Sequence, residues 1–152
     1  MNLRVHTNTE IGRMSSYAIS IMTYDRGEHW DAPTKKKPYH WLFFVQASST
    51  PNVGHAFQLH GMPGAFHYSG EEDMEHTNSE GKNGQLEVGS IPVYRYERFK
   101  ELLNEIPIVN VESEKWNCQT WSLAALDALR AEGFVAEEYS NEAIQYWLRE
   151  DQ

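Results

Sequence analysis

Nine consecutive residues, Tyr39-His40-Trp41-Leu42-Phe43-Phe44-Val45-Gln46-Ala47, carry bulky apolar side chains at both parities of an extended chain. A strand that is apolar on both faces must be covered on both sides, so this run predicts a central strand of a sheet. His40 is set apart by the same pattern. It opens the run on the face of Leu42 and Phe44, and a polar ring among such neighbours needs a hydrogen-bond partner.

Further strands are read around this one. Ser16 to Tyr24 alternates in character and closes at Asp25-Arg26-Gly27, as a strand followed by a turn does. Gly27 to Pro38 reads as a loop, with Lys35-Lys36-Lys37 as a solvated turn. After a turn at Ser48 to Asn52, Gly54 to His60 is expected to return antiparallel to the central strand. Ala65 to Ser69 reads as a fourth short strand. Gly70 to Gly84, containing Glu71-Glu72-Asp73, reads as a long polar connection, either a mobile flap or a surface loop. Gln85 to Val93 reads as a strand broken by Pro92.

The remainder follows a helical period. Tyr96 to Glu105 spaces Phe99, Leu102 and Leu103 on one side and stops before Pro107. Asn117 to Glu132 continues from Cys118 through Trp121, Ala124, Ala125 and Ala128, with Gly133 as its stop. Ser140-Asn141-Glu142 opens a last helix carrying Ile144, Tyr146, Trp147 and Leu148. The expected architecture is α+β: one domain over residues 1–152, with an antiparallel sheet of about five strands in the N-terminal half packed against three helices in the C-terminal half.

Composition narrows the function classes. Acidic side chains number 22 against 13 basic ones, a formal net charge of −9, which argues against nucleic acid or an anionic membrane surface as partner. The first ten residues lack the apolar run of a secretory leader, and no stretch approaches the roughly 20 apolar residues of a membrane helix. A single cysteine allows no internal disulfide and fits a reducing compartment, so a cytoplasmic location is expected. No glycine-rich phosphate loop and no serine elbow is present, and no cofactor is expected.

That cysteine lies in Trp116-Asn117-Cys118-Gln119-Thr120-Trp121, at the start of a predicted helix. Unpaired backbone N–H groups and the helix dipole favour an anion there, and the thiolate is the form of cysteine that attacks. A catalytic thiolate also needs an imidazole as base and a third group to orient that ring. Of seven histidines, His6 lies near the terminus, His29 and His76 fall in polar loops, and His67 sits in a short strand. His40 is the better base, and either Gln58 or His60 on the returning strand is its partner. The register decides, because a slip by one residue would offer Phe57 and Leu59 instead.

At this point the residues resemble a known group. His40-Trp41-Leu42-Phe43-Phe44-Val45 is similar to the His-Trp-aliphatic strand of the lecithin retinol acyltransferase-like and NlpC-like cysteine enzymes, circularly permuted relatives of papain, and Asn117-Cys118-Gln119 is similar to their Asn-Cys-Glu. The resemblance covers about Pro38 to His60 and Asn117 to Gly133. It implies Cys118 as nucleophile and His40 as general base in a thiol-dependent hydrolase or acyltransferase. Where acyltransferase members carry a second histidine, this chain offers Gln58, with His60 two residues on. Thr120-Trp121 replaces the group's His-Phe, and the hydrophobic C-terminal anchor of lipid-acting members is missing, which points toward an amide, isopeptide or thioester in a peptide or small acyl molecule. Backbone N–H groups near Cys118, with Gln119 as a side-chain donor, would hold the oxyanion. Trp41, Trp116 and Trp121 line the cleft or fill the core.

Two other readings compete. One is a binding module on the same fold, with Cys118 a buried structural thiol. The other is a metal site from His55, His60 and His67 with Glu71, although their spacing matches no zinc signature.

Overall fold

The computed structural model describes residues 15–25, 39–76, 82–111 and 116–149, together with the backbone of 28–29 and 32–36. Among the described residues, nine strands precede three α-helices. The strands are β1 (Ser16–Tyr24), β2 (Glu28–His29), β3 (Ala32–Lys36), β4 (His40–Val45), β5 (Val53–Phe57), β6 (Leu59–His60), β7 (His67–Tyr68), β8 (Glu72–Glu75) and β9 (Lys82–Pro92). A 3-10 turn at Val93–Arg95 leads into α1 (Tyr96–Asn104), followed by α2 (Cys118–Ala131) and α3 (Asn141–Trp147). The chain is thus α+β, as its pattern implies.

The main sheet is antiparallel, with strand order β8-β5-β4-β1-β9. β4 lies in the middle, and its alternation builds two layers. Trp41, Phe43 and Val45 join Ile19, Ile21 and Phe57 beneath the helices, meeting Phe99, Leu103, Trp121, Ala125 and Leu129. Leu42 and Phe44 belong to a second buried cluster with Met22 and Ala56 on the opposite face. Burial of side chains this size contributes roughly 1.5–3 kcal/mol each. Both faces are therefore committed, and the strand can neither slip nor move to an edge.

Two stretches depart from the sequence reading. Within Gly27 to Pro38, expected as a loop, β2 and β3 form a small antiparallel pair. Within the polar connection Gly70 to Gly84, the segment Glu72–Glu75 is β8, an edge strand paired with β5. The returning strand is split in two, β5 ending at Phe57 and β6 beginning at Leu59, with Gln58 between them. The helical faces also shift. Ala124 is exposed, and the buried side of α2 is Cys118, Trp121, Ser122, Ala125, Leu126 and Leu129. In the last helix Ile144 is buried, as is Leu148 at its C-cap, whereas Tyr146 and Trp147 stand in solvent.

The end of α2 is tied to the sheet by backbone. Gly133 adopts φ 82° and closes a Schellman turn, in which Phe134 N donates to Leu129 O at 2.9 Å and Gly133 N to Arg130 O at 3.1 Å. The chain then runs beside β9, where Ser90 N donates to Phe134 O and Ala136 N to Val88 O, both at 3.0 Å. The approach is possible because residue 89 is glycine. A Cβ at that position would fall on the Phe134 carbonyl oxygen. Gly89→Ala is therefore expected to lower the unfolding free energy by about 1–3 kcal/mol, the usual cost of overpacking, read as an earlier urea midpoint at unchanged slope. An unaltered midpoint would mean that the segment after α2 is not held against β9.

Candidate active site

Cys118 is the first residue of α2, and the sequence Asn-Cys-Gln-Thr explains why the helix begins there. Asn117 Oδ1 accepts from the N–H groups of Gln119 (2.9 Å) and Thr120 (3.3 Å), while Thr120 Oγ1 accepts from Asn117 N at 3.2 Å. This reciprocal capping box satisfies first-turn donors that would otherwise be orphaned. The helix start is also fastened to the start of β4. The Gln119 side-chain amide donates to the Tyr39 carbonyl at 2.9 Å, and the Cys118 thiol lies 3.9 Å from the same oxygen. The residue next to the thiol thus holds the residue next to His40.

Cys118 and His40 line one cleft of about 330 Å³ with Tyr24, Leu59, His60, Gly61 and Phe66. Tyr24 is the register partner of His40 across β1 and β4. Phe66 is held by Asn110, whose Oδ1 accepts from Phe66 N at 2.6 Å and whose Nδ2 donates to Phe66 O at 3.1 Å. Its ring meets Trp116 edge-on at 5.4 Å. Trp41 and Trp121 are core residues, 3% and 0% exposed, and neither is among the residues lining the cleft. Of the three tryptophans only Trp116, half-buried against Phe66, is near its rim.

The register settles which residue reaches His40. β4 and β5 pair Phe43 with Phe57 and Phe44 with Ala56, so Gln58 falls on the side of the sheet shared by Ala56, Leu42 and His40. His40 Nε2 lies 2.6 Å from Gln58 Oε1. His60 goes elsewhere, its Nε2 lying 2.7 Å from Glu72 Oε2. The same carboxylate accepts from Gln58 Nε2 at 3.2 Å through Oε1. A continuous line of polar contacts therefore runs His40, Gln58, Glu72, His60.

Glu72 escapes a reading of the sequence because it sits in a run of acidic residues that looks solvated. Met74 is the one apolar residue of the run, and the period of two around it emerges only in the structure, where Glu72 and Met74 are half-buried and Glu71, Asp73 and Glu75 are exposed. Glu71 and Asp73 serve the opposite side of β8. Glu71 accepts from the Tyr96 hydroxyl at 2.5 Å and lies 3.8 Å from Lys100 Nζ, while Asp73 lies 3.1 Å from His55 Nδ1. The hydroxyl donor, aided by His55 and Lys100 against some loss of solvent, holds the Glu71 carboxyl below its ordinary range. Burial, and then the Glu71 carboxylate, raise the Tyr96 phenol well above its ordinary value. Burial and then Glu72 do the same to Tyr68.

The histidines considered for a metal site are dispersed. His55 Nδ1 lies 3.1 Å from Asp73, while His60 pairs with Glu72 and stacks on His67 at 5.4 Å. Among the described residues, no three histidine, cysteine or acidic side chains are gathered so as to hold a metal ion. His76 is buried rather than lying in a solvated loop, with its ring edge-on to Phe44 at 4.6 Å and its pKa lowered by burial and then by Lys82. The described residues contain no helix long and apolar enough to cross a membrane.

Fold and site together define an α+β protein with a cysteine at a helix start and an amide-held histidine in one cleft. Residues 29–136, more than half of the chain, match the family of unknown function DUF6540, and the chain belongs to that family. The matched span contains His40, Gln58, His60, Glu72 and Cys118. No curated protein and no solved structure matches the chain.

The Tyr96–Glu71 bond fixes the strand that carries Glu72, and its strength depends on pH. Because the folded Glu71 carboxyl titrates below its unfolded value, its stabilisation is complete above about pH 4.3 and is lost as pH falls through the folded value. Tyr96→Phe is expected to cost roughly 0.5 kcal/mol at pH 7, allowing for solvent screening at this half-exposed pair. Urea unfolding at pH 7 and pH 3 checks this, with the gap between the two proteins narrowing at pH 3. An equal gap at both pH values would mean that the hydroxyl acts through something other than the carboxylate.

Proposed function

We propose that this chain is a thiol-dependent hydrolase or acyltransferase that acts on an amide, isopeptide or thioester, with Cys118 as nucleophile and His40 as general base. The observation that carries this reading is the 2.6 Å contact between His40 Nε2 and Gln58 Oε1 in the cleft that Cys118 also lines. An amide oxygen can only accept, so Nε2 carries the proton and Nδ1 becomes the basic nitrogen of the ring. Base, orienting group and nucleophile are the three parts that activated cysteines require. The resemblance to permuted papain-like enzymes assigns the same roles to His40 and Cys118.

The steps balance without a cofactor. His40 Nδ1 takes the thiol proton, and the Cys118 sulfur forms a bond to the carbonyl carbon of the substrate. The resulting oxyanion is met by the backbone N–H of Cys118 and, once it turns from the Tyr39 carbonyl, by the Gln119 amide, a type of contact worth about 3 kcal/mol where it has been measured. Collapse of the tetrahedral species breaks the bond to the amine or thiol, which leaves with the proton from the His40 imidazolium. Water or a second nucleophile then gives its proton to His40 and attacks the thioester, releasing the acyl product and the Cys118 thiol.

One observation favours a different reading. Cys118 is 2% exposed and packs with the apolar core, which suits a structural thiol in a binding module. The two readings separate on the rate of iodoacetamide alkylation of Cys118 between pH 5 and 9, in the native chain and in His40→Ala. An activated pair labels quickly below pH 7 and slows by about tenfold or more in the variant. Slow labelling in both proteins, with a midpoint at or above about 8.5, would remove the catalytic reading in favour of the structural thiol.

A further inference from the structure

The orientation of Gln58 decides which nitrogen of His40 can serve as base. Rotated by half a turn, the Gln58 amide would present its NH₂ group to Nε2, move the ring proton to Nδ1, and leave the nitrogen needed for the thiol already protonated. Packing cannot distinguish these orientations, since the oxygen and nitrogen of an amide are nearly the same size. The neighbouring carboxylate can. An ionised carboxylate only accepts, and Glu72 Oε1 lies 3.2 Å from Gln58 Nε2 on the side of the amide away from His40. We infer that Glu72 is a positioning residue of this site: by accepting from the Gln58 NH₂ group it turns the amide oxygen toward His40 and so selects the Nε2–H tautomer of the base. The inference rests on the proposed roles of Cys118 and His40 for its consequence in catalysis, but not for its claim about the tautomer.

Three features keep Glu72 in place. Its strand is paired to β5 with Glu72 opposite Ala56, two residues from Gln58. Its second oxygen is held by His60 Nε2 at 2.7 Å. His60 thereby becomes an anchor for the carboxylate rather than the partner of His40. The preceding residue, Glu71, is fastened to Tyr96 on the other side of the sheet.

The test uses the full chain. Long-range proton–nitrogen correlation spectra of the histidine rings identify the tautomer of neutral His40 in the native protein, in Glu72→Asp and in Glu72→Gln, beside the alkylation profile of Cys118 in each. The expected result is Nε2–H in the native chain and in Glu72→Asp, which keeps an acceptor-only group. Glu72→Gln should give a mixture of tautomers, because an amide can donate or accept, and alkylation at pH 6.5 should fall in proportion to the Nε2–H fraction lost, about twofold for an equal mixture. An Nδ1–H tautomer in the native chain would overturn the inference outright, whether or not any variant folds. An unchanged tautomer and alkylation profile in folded Glu72→Gln would overturn it as well, while an activated native thiol left the catalytic reading standing. A native thiol that is not activated, with the tautomer still responding to residue 72, would remove the catalytic reading and keep the positioning role.

Discussion

Burial of both faces of β4 is the constraint from which the rest of the structure follows. Phe43 meets Trp121 of α2 at 6.3 Å between ring centroids, and Phe44 is buried on the other side with Met22, Leu42 and Ala56. With both faces occupied, the strand has no freedom to rotate or slide, because a shift of one residue would drive Phe44 into the helical layer and Phe43 out of it. His40 inherits that rigidity as the first residue of the strand. Its position is set by packing several residues away, so the site does not depend on a loop to hold the ring.

The second fixed point is the start of α2, which is held from within and from without. Asn117 and Thr120 close the capping box, and Gln119 reaches back to the carbonyl of Tyr39. The nucleophile candidate and the base candidate are thereby tied through adjacent residues on separate elements. A Gln119 donor engaged with Tyr39 also gives that side chain a structural duty, and an oxyanion role would require that bond to shift. Cys118 itself sits among apolar neighbours, where burial disfavours a thiolate and the helix start favours it. The balance between these opposing effects is what separates an activated cysteine from a structural one.

Much of this was legible in the sequence, for reasons that differ by element. The central strand declared itself because its apolar residues occupy both parities. The start and stop of α2 declared themselves through Asn117 and Gly133, residues whose capping geometry is local. For the partner of His40 the sequence leaves Gln58 and His60 open, since a strand pattern does not set the register between strands. β8 is not legible in the sequence because its half-buried positions, Glu72 and Met74, are not both apolar. Glu72 is turned inward to bond polar side chains rather than to pack, and a hydrophobic pattern carries no mark of that. In α2 and α3 small and aromatic residues make the helical stripe broader than the buried face, and Ala124, Tyr146 and Trp147 lie outside the core.

The acidic edge strand also changes what the site is made of. Alternation along β8 sends Glu71 and Asp73 to one side, toward Tyr96 and His55, and Glu72 to the other, toward Gln58 and His60. One short strand therefore joins the helical layer to the polar line behind His40. A carboxylate in that position costs solvation, which two hydrogen-bond donors offset only while they remain in place. If Gln58 or His60 were lost, the unpaired charge would favour solvent and draw Glu72 outward. The polar line is consequently cooperative: each member is held in a usable orientation by the next, and the property that reaches the cleft is the placement of a single proton on His40.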